Sequence, residues 1–160
     1  MTPGRDTLAN LVNLRLRKST PADAPALFEV WRTAVAATHD FLSRQDVDAI
    51  SRLVRDKYLP TADLDVAVDQ DNIPLAFMGM TGSEIDALFV HANARGCGIG
   101  RQLAELAFAR ARVIRTEVNE QNTRAVEFWR HMGFREVGRT DTDRQGKPYP
   151  LLLMERSQDK

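Results

Sequence analysis

Apolar residues recur at two spacings in the first part of the chain, and each spacing predicts a different element. Residues 14–17 alternate apolar and basic side chains, which is typical of a short strand with one buried face. Thr20 and Pro21 predict a helix start, because threonine caps helices and proline suits the first helical position. The following apolar positions have helical spacing and predict one core-facing stripe, formed by Ala24, Leu27, Phe28, Trp31, Val35 and Thr38.

The next stretch predicts a second helix and then three strands. Ser43 is the expected cap of this helix, and Pro60 lies just past its end. Its apolar stripe consists of Val47, Ile50, Val54 and Tyr58. Three mostly apolar segments, at residues 64–68, 75–80 and 85–90, are typical of strands, with a turn at residues 70–72 between the first two.

The second half of the chain alternates helices and strands. The patterns predict helices at residues 98–112 and from 120 or 121 to 132, and strands at 113–118, 134–139 and 151–155. Gly133 is the expected stop of the later helix, and residues 141–149 form a polar connection. The order predicts a mixed α/β domain. Within it, the strand–helix–strand passage from residue 85 to 118 should be a right-handed parallel crossover.

Composition and charge narrow the class of protein. A length of 160 residues predicts one domain spanning 1–160, with residues 1–12 loosely ordered. The formal net charge of zero argues against a nucleic-acid binder, and the apolar runs are too short for a membrane span. The first residues do not resemble a secretory signal, and the single cysteine, Cys97, cannot form an internal disulfide. These features indicate a cytoplasmic protein.

Three alternating glycines after the strand at residues 85–90 carry the most specific chemical signal. Gly96, Gly98 and Gly100 open the next helix, although glycine disfavours helices. Without Cβ atoms, the unpaired amides of a first helical turn can approach a phosphate or pyrophosphate closely. Arg95 and Arg101 flank the loop as charged donors. The spacing matches neither a Walker loop nor a dinucleotide fingerprint. A tight turn that binds no ligand is the alternative interpretation.

Two motifs resemble signatures of the GNAT N-acetyltransferase superfamily. Residues 95–100, Arg-Gly-Cys-Gly-Ile-Gly, match its R-x-x-G-x-G/A pyrophosphate loop. Residues 119–134 match its N-x-x-A-x-x-F-Y-x-x-x-G-F signature, one strand later. Segments 37–42, 87–89 and 146–152 look like the bacterial YjaB-like acetyltransferases in particular. The resemblance implies a GNAT fold: a mixed, mostly antiparallel, twisted sheet flanked by helices, with the one parallel crossover at the cofactor site.

The resemblance also implies an activity and a set of cofactor-binding residues. The activity would be transfer of an acetyl group from acetyl-CoA to a primary amine, by direct attack in a ternary complex that releases coenzyme A. The acceptor would be a small molecule or a protein lysine or N-terminus, and the protein a monomer or homodimer. The implied cofactor-binding residues are Leu88, Phe89, Val90, Arg95, Gly96, Cys97, Gly98, Ile99, Gly100, Arg101, Asn119, Asn122 and Trp129. Helix capping is the alternative for Asn119, and solvent exposure for Asn122.

Candidates for the chemistry lie outside these motifs. A protonated alkylamine must lose a proton before it attacks, and Asp86 is the first choice of base because it is the only charge within the predicted strand at residues 85–90. A surface carboxylate at the end of the strand is the alternative interpretation of Asp86. Glu84 is second and His39 third. His39, Phe41 and Tyr149 are the expected acceptor-binding residues. We expect His91 and His131 to lie on solvated faces, and no metal site is predicted.

One position departs from the family pattern. The family tyrosine that protonates the leaving thiolate is replaced here by Trp129, whose indole donates a hydrogen bond but is no general acid. A non-catalytic acetyl-CoA binding or sensing module is therefore the alternative function. Use of a longer acyl chain is a third possibility. Tyr149 is another phenol that could act in place of the missing tyrosine, although simple packing beside Pro148 and Pro150 is the favoured interpretation.

Overall fold

The computed structural model describes residues 14–158, so the predicted loose order of residues 1–12 lies outside the described residues. Seven strands and four α-helices make up the described chain. The strands are β1 (Arg15–Lys18), β2 (Leu64–Val68), β3 (Pro74–Thr81), β4 (Glu84–Val90), β5 (Val113–Asn119), β6 (Arg135–Thr140) and β7 (Leu151–Ser157). The helices are α1 (Ala24–Thr38), α2 (Arg44–Leu53), α3 (Ile99–Phe108) and α4 (Thr123–His131).

The strands form one mixed sheet in the order β1-β2-β3-β4-β5-β7-β6. Strand β4 pairs in parallel with β5, with Glu84 opposite Arg115 and Ile85 opposite Thr116. The β1–β2, β2–β3, β5–β7 and β6–β7 pairs are antiparallel. The predicted mixed sheet, with a parallel passage through β4, α3 and β5, is confirmed.

The first compact unit contains residues 14–79 and Ala87–Leu103. Its core joins one face of α1 to β2, all of whose residues are buried. A π-helical turn, Val54–Tyr58, continues α2 and was not predicted. The hydroxyl of Tyr58 would lie 2.6 Å from a Cβ at residue 79, so a side chain on Gly79 would force the Tyr58 side chain to shift. The buried core residues are Leu27, Val30, Trp31, Val35, Leu59, Leu64, Val66, Val68 and Phe77.

The second compact unit contains Met80–Asp86 and residues 104–158. Buried Thr116 of β5 donates its hydroxyl to the carbonyl oxygen of Ile85 at 3.0 Å, which satisfies its polar group. The guanidinium of Arg156 lies over the ring of Phe108, 3.8 Å from the centroid. Aliphatic and aromatic side chains fill this core, among them Ile85, Ala104, Ala107, Ile114, Val118, Val126, Trp129, Phe134, Leu152 and Met154.

Two predicted helix bounds differ from the structure. Helix α3 ends at Phe108 instead of residue 112, because Arg110 donates its N–H to the carbonyl of Ala107, three residues back, and tightens the chain into a turn. Helix α4 begins at Thr123 instead of 120 or 121, because Asn122 caps it by accepting the N–H of Ala125 at 3.2 Å. The Ser43 cap of α2 is confirmed. None of the helices in residues 14–158 has the length and apolar character needed to cross a membrane.

Candidate active-site residues

The glycine loop has the backbone geometry that an anion cradle requires. Gly96 and Gly98 have φ angles of +77° and +80°, which side-chain-bearing residues rarely adopt. No heavy atom lies within 4 Å of the position that a Cβ would take at either residue, so the space beside the backbone is open. The carbonyl of Gly98 accepts the N–H of Gln102, which places Gly98 at the start of α3. The amides of the first helical turn therefore have no partner within the helix.

The strand before this loop ends in three half-buried residues, Leu88, Phe89 and Val90. The ring of Phe89 packs on that of Phe77, with centroids 5.6 Å apart. His91 follows the strand, and its N–H donates to the carbonyl of Leu75 at 2.8 Å. These contacts fix the direction in which the chain leaves β4 and enters the loop.

Arg95 connects the loop to the end of helix α1. Its Nη2 donates to the carbonyl oxygen of Ala34 at 3.3 Å, so the side chain bonds a backbone carbonyl near the C-terminal end of that helix. The side chain of Arg101 is exposed. The Sγ of Cys97 lies 3.6 Å from the carbonyl oxygen of Arg95, and its side chain is half-buried. Cys97 thus makes a local contact within the loop.

His39 and Phe41 lie together directly after α1. Their rings are tilted by 41°, with centroids 5.2 Å apart. The Nδ1 of His39 is 2.8 Å from the hydroxyl oxygen of Thr38. Burial, followed by the positive charge of Arg95, lowers the pKa of His39 to about 4. His39 is therefore a neutral imidazole at physiological pH.

The second unit contains Asn119, Asn122 and Trp129. Asn122 is buried as the cap of α4, so the alternative of solvent exposure is wrong. Asn119 is the last residue of β5, and its carbonyl accepts the N–H of Asn122. Trp129 is buried and meets Phe134 edge to face at 4.9 Å between centroids.

Asp86 and Glu84 lie at the start of β4. Asp86 is exposed, and its Oδ2 accepts the hydroxyl of Thr81 at 2.5 Å. Glu84 forms an ion pair with Arg144 at 3.2 Å, and the same guanidinium bonds Glu117 at 2.6 and 2.9 Å. Glu84 is therefore paired with a cation, whereas the hydrogen-bond partner described for Asp86 is the neutral hydroxyl of Thr81.

The remaining predicted residues have clear positions. Tyr149 is buried, and its N–H donates to the carbonyl of Lys147 at 2.7 Å. His131 is exposed, as expected. His91 is half-buried, which corrects the prediction of a solvated face; burial lowers its pKa, and its Nδ1 accepts the N–H of Asn93 at 3.1 Å. The described residues contain no cluster of side chains that could hold a metal ion.

Comparisons with known proteins identify the family. The acetyltransferase (GNAT) domain family matches residues 61–136. The peptidyl-lysine N-acetyltransferase YjaB of Salmonella typhimurium is 46% identical over 139 residues, which cover 87% of this chain and 95% of that protein. The chain belongs to the GNAT acetyltransferase family.

Solved structures of GNAT proteins share the same fold. The solution structure of apo-form YjaB from Escherichia coli has a TM-score of 0.85 and 43% identity, over 89% of this chain and 96% of that one. The PaiA N-acetyltransferase of Thermoplasma acidophilum, solved in complex with coenzyme A, has a TM-score of 0.73 at 19% identity, over 91% of this chain and 99% of that one. The predicted GNAT fold is therefore confirmed.

Sequence patterns missed two contacts at this GNAT protein's candidate residues. The hydroxyl of Thr38 bonds His39, although its apolar-stripe spacing had marked Thr38 only as a core-facing position. Arg144, from the polar connection before β7, bonds carboxylates on β4 and β5. Both contacts depend on the three-dimensional positions of polar side chains, which the pattern of hydrophobic residues does not indicate.

The depressed pKa of His39 predicts an acid-sensitive fold. Between pH 6.5, the ordinary histidine pKa, and pH 4, the unfolded chain binds a proton that folded His39 does not. The free energy of unfolding should therefore fall as the pH drops through this window, by an amount of the order of 3 kcal/mol from His39 at most. Urea titrations between pH 7 and 4 measure this free energy of unfolding. The His39→Asn variant should show a smaller dependence of the free energy of unfolding on pH.

His131→Asn is the matched control, because His131 is exposed on the last turn of α4. The pKa of His91 is also lowered, and this residue is present in both variants, so its contribution to the pH dependence is the same in each. If both variants keep the wild-type slope, the depressed pKa of His39 is refuted.

Proposed function

We propose that this GNAT protein transfers the acetyl group of acetyl-CoA to a primary amine on a protein, a lysine side chain, and releases coenzyme A. The observation that carries the proposal is the pair of left-handed glycines with open space beside them at the start of α3. Relatives at 46% and 44% identity are named peptidyl-lysine N-acetyltransferases, which favours a protein lysine over a small amine.

The proposed cofactor site uses mainly backbone groups. The amides from Cys97 to Arg101 would hold the pyrophosphate, with Arg101 as a charged neighbour. The backbone of Leu88, Phe89 and Val90 would bind the pantetheine arm. Asn119, Asn122 and Trp129 are the further proposed contacts. When bound, acetyl-CoA supplies the acetyl thioester. The left-handed glycines fit this group, because the space beside them is open and an anion can approach the backbone there.

The proposed acceptor site uses side chains. His39, Phe41 and Tyr149 would bind the acceptor lysine, whose amine has an ordinary pKa of about 10.4 and arrives protonated. Asp86 would take that proton, since its exposed carboxylate is within reach of solvent and holds a hydroxyl as its described hydrogen-bond partner. The lone cysteine supports a reducing, cytoplasmic location, and a monomer or homodimer is the proposed state.

Trp129 is the one feature that favours the alternative of a non-catalytic acetyl-CoA binding module. We expect instead a slow transferase, because a thiolate leaves well: its parent thiol has a pKa of about 8.5 if cysteine is the guide. Trp129→Tyr should raise kcat about 10-fold, below the 10²–10⁴ range usual for a general acid. The assay is release of free thiol from acetyl-CoA with Nα-acetyl-lysine amide and with lysine peptides, confirmed by mass spectrometry.

Trp129→Phe is the control, because it keeps an aromatic ring against Phe134 and removes the N–H. We expect it to lower kcat severalfold. If wild type and Trp129→Tyr both bind acetyl-CoA but release no thiol, the binding module is the better account. If Tyr gives no gain and Phe no loss, residue 129 only packs, and Tyr149 becomes the residue to replace.

A further inference from the structure

The last turn of α1 ends in a connected set of hydrogen bonds. The hydroxyl of Thr38 is 2.7 Å from the carbonyl oxygen of Ala34, and the Nη2 of Arg95 is 3.3 Å from the same oxygen. The hydroxyl oxygen of Thr38 is also 2.8 Å from the Nδ1 of His39. One threonine oxygen therefore links a helix carbonyl to an imidazole nitrogen.

The single hydroxyl proton decides the direction of these bonds. A threonine hydroxyl has one proton to donate, and a carbonyl oxygen can only accept. At 2.7 Å the Thr38 and Ala34 oxygens would repel each other without a proton between them, so the hydroxyl proton lies on that line. The hydrogen bond between Thr38 and His39 must then be donated by an N–H on Nδ1 and accepted by the Thr38 hydroxyl oxygen. In the neutral ring this leaves Nε2 as the atom with a lone pair.

The hydrogen bond described for the His39 ring is at Nδ1, and the residue is half-buried, so part of it contacts solvent. Nε2 is therefore the ring atom left to accept a hydrogen bond from a ligand. Burial keeps the ring neutral by lowering its pKa to about 4. Two charged residues act on it: Arg95 of the glycine loop favours the neutral form, and the neighbouring Asp40 opposes it.

We infer that Thr38 is a positioning residue of the acceptor site: it fixes the proton of His39 on Nδ1, so that Nε2 presents a lone pair to the ammonium group of the acceptor lysine. This inference rests on the proposed function for the identity of the ligand, but the tautomer stands on the structure alone. The role differs from that of Asp86, because Nε2 holds the amine by a hydrogen bond and takes no proton from it.

The chemistry of the site suits a cation. A neutral imidazole nitrogen accepts a strong hydrogen bond from an ammonium N–H, whereas a protonated imidazole would repel it. The ring of Phe41 lies beside the imidazole and offers a second surface of the kind that attracts ammonium groups. With the opposite tautomer, His39 would present an N–H to the ammonium group and the two donors would conflict.

Nitrogen-15 NMR of the ligand-free protein tests the tautomer directly. At pH 7 we expect wild-type His39 to show a protonated Nδ1 and an unprotonated Nε2. Thr38→Val removes the hydroxyl with little change in shape and should move the population towards the Nε2-protonated form, whereas Thr38→Ser should restore the wild-type pattern. The assignment of His39 comes from comparison with His39→Asn. A wild-type ring protonated on Nε2 would overturn the inference.

Kinetics with Nα-acetyl-lysine amide test the positioning role. Thr38→Val should raise KM for this acceptor about 10-fold, since hydrogen bonds to charged groups are among the stronger ones in proteins, while kcat and the KM for acetyl-CoA change less than about 2-fold. Thr61→Val is the matched control: Thr61 also donates to the carbonyl four residues back, at 3.2 Å from Lys57, but bonds no histidine.

The two arms separate the possible failures. If wild type acetylates no lysine probe while the NMR pattern is as expected, the proposed function fails and the tautomer stands. If wild type is active and Thr38→Val and Thr38→Ser both have the acceptor KM of Thr61→Val, the positioning role is refuted. Melting temperatures of the three variants identify any loss that comes from misfolding, and the serine variant then decides between the outcomes.

Discussion

Gly98→Glu will abolish the stabilisation of this protein by acetyl-CoA. Wild type at a cofactor concentration 100 times Kd should gain about 2.7 kcal/mol in free energy of unfolding. For a chain of 160 residues that corresponds to a rise in Tm of roughly 5–10 °C. A glutamate at residue 98 fills the open space beside the loop with bulk and with the charge of the ligand itself. Differential scanning fluorimetry with and without acetyl-CoA measures both shifts.

The control must carry the same backbone strain. Gly146 has a φ of +78°, and no heavy atom lies within 4 Å of its Cβ position, so Gly146→Glu matches Gly98→Glu in dihedral angle and in space. Both variants should lose similar basal stability, because both force a side chain into a left-handed conformation. Only Gly98→Glu should lose the cofactor shift. A normal shift in that variant means that the pyrophosphate lies elsewhere.

Asp86→Asn will reduce kcat for lysine acetylation by about 100-fold, the lower end of the range for a general base. Asparagine has the shape of aspartate and keeps an oxygen to accept the Thr81 hydroxyl, so the change removes the charge and the basicity with little effect on packing. Initial rates at saturating acetyl-CoA and acceptor measure kcat, and the cofactor-induced Tm shift should stay at the wild-type value.

Glu84→Gln is the matched control and also tests the runner-up. Glu84 lies two residues earlier on the same strand, and Arg144 neutralises it. We expect kcat of this variant to remain within about 3-fold of wild type, because the Glu84 carboxylate is already held by the Arg144 guanidinium. If Glu84→Gln loses more activity than Asp86→Asn, the roles of the two carboxylates are reversed.

Elements with a strong apolar period were predictable, and contacts between side chains were not. The apolar stripe of α1 and the mostly apolar sequence of β2, interrupted only by Asp65, predicted the positions of these elements, because burial of one or both faces requires apolar residues there. The glycine loop was predictable for a different reason: glycine at residues 96 and 98 marks dihedral angles that other residues avoid. The end of α3 was wrong by four residues, since no residue between 108 and 112 is a helix breaker.

The candidate site was predicted less completely. The spacing of its motifs identified the loop, but two asparagines of one motif, Asn119 and Asn122, could not be assigned to cap and strand end, because either can accept a backbone N–H. The structure makes Asn122 the cap. Nor could the sequence indicate that Arg95 bonds Ala34, since the carbonyls at a helix end carry no sequence signature. The roles of Asp86 and of the acceptor residues remain predictions.

The left-handed glycines bear on how this loop changes over evolutionary time. Where main-chain amides do the binding, the requirement falls on dihedral angles, and a side chain such as that of Cys97 serves only local packing. If the loop binds the pyrophosphate as proposed, substitution of the residue between the glycines has a small cost, whereas almost any side chain at residue 96 or 98 is strained by the positive φ angle. Proteins that acetylate different acceptors could therefore share the same loop, because its backbone conformation does not depend on the identity of the acceptor.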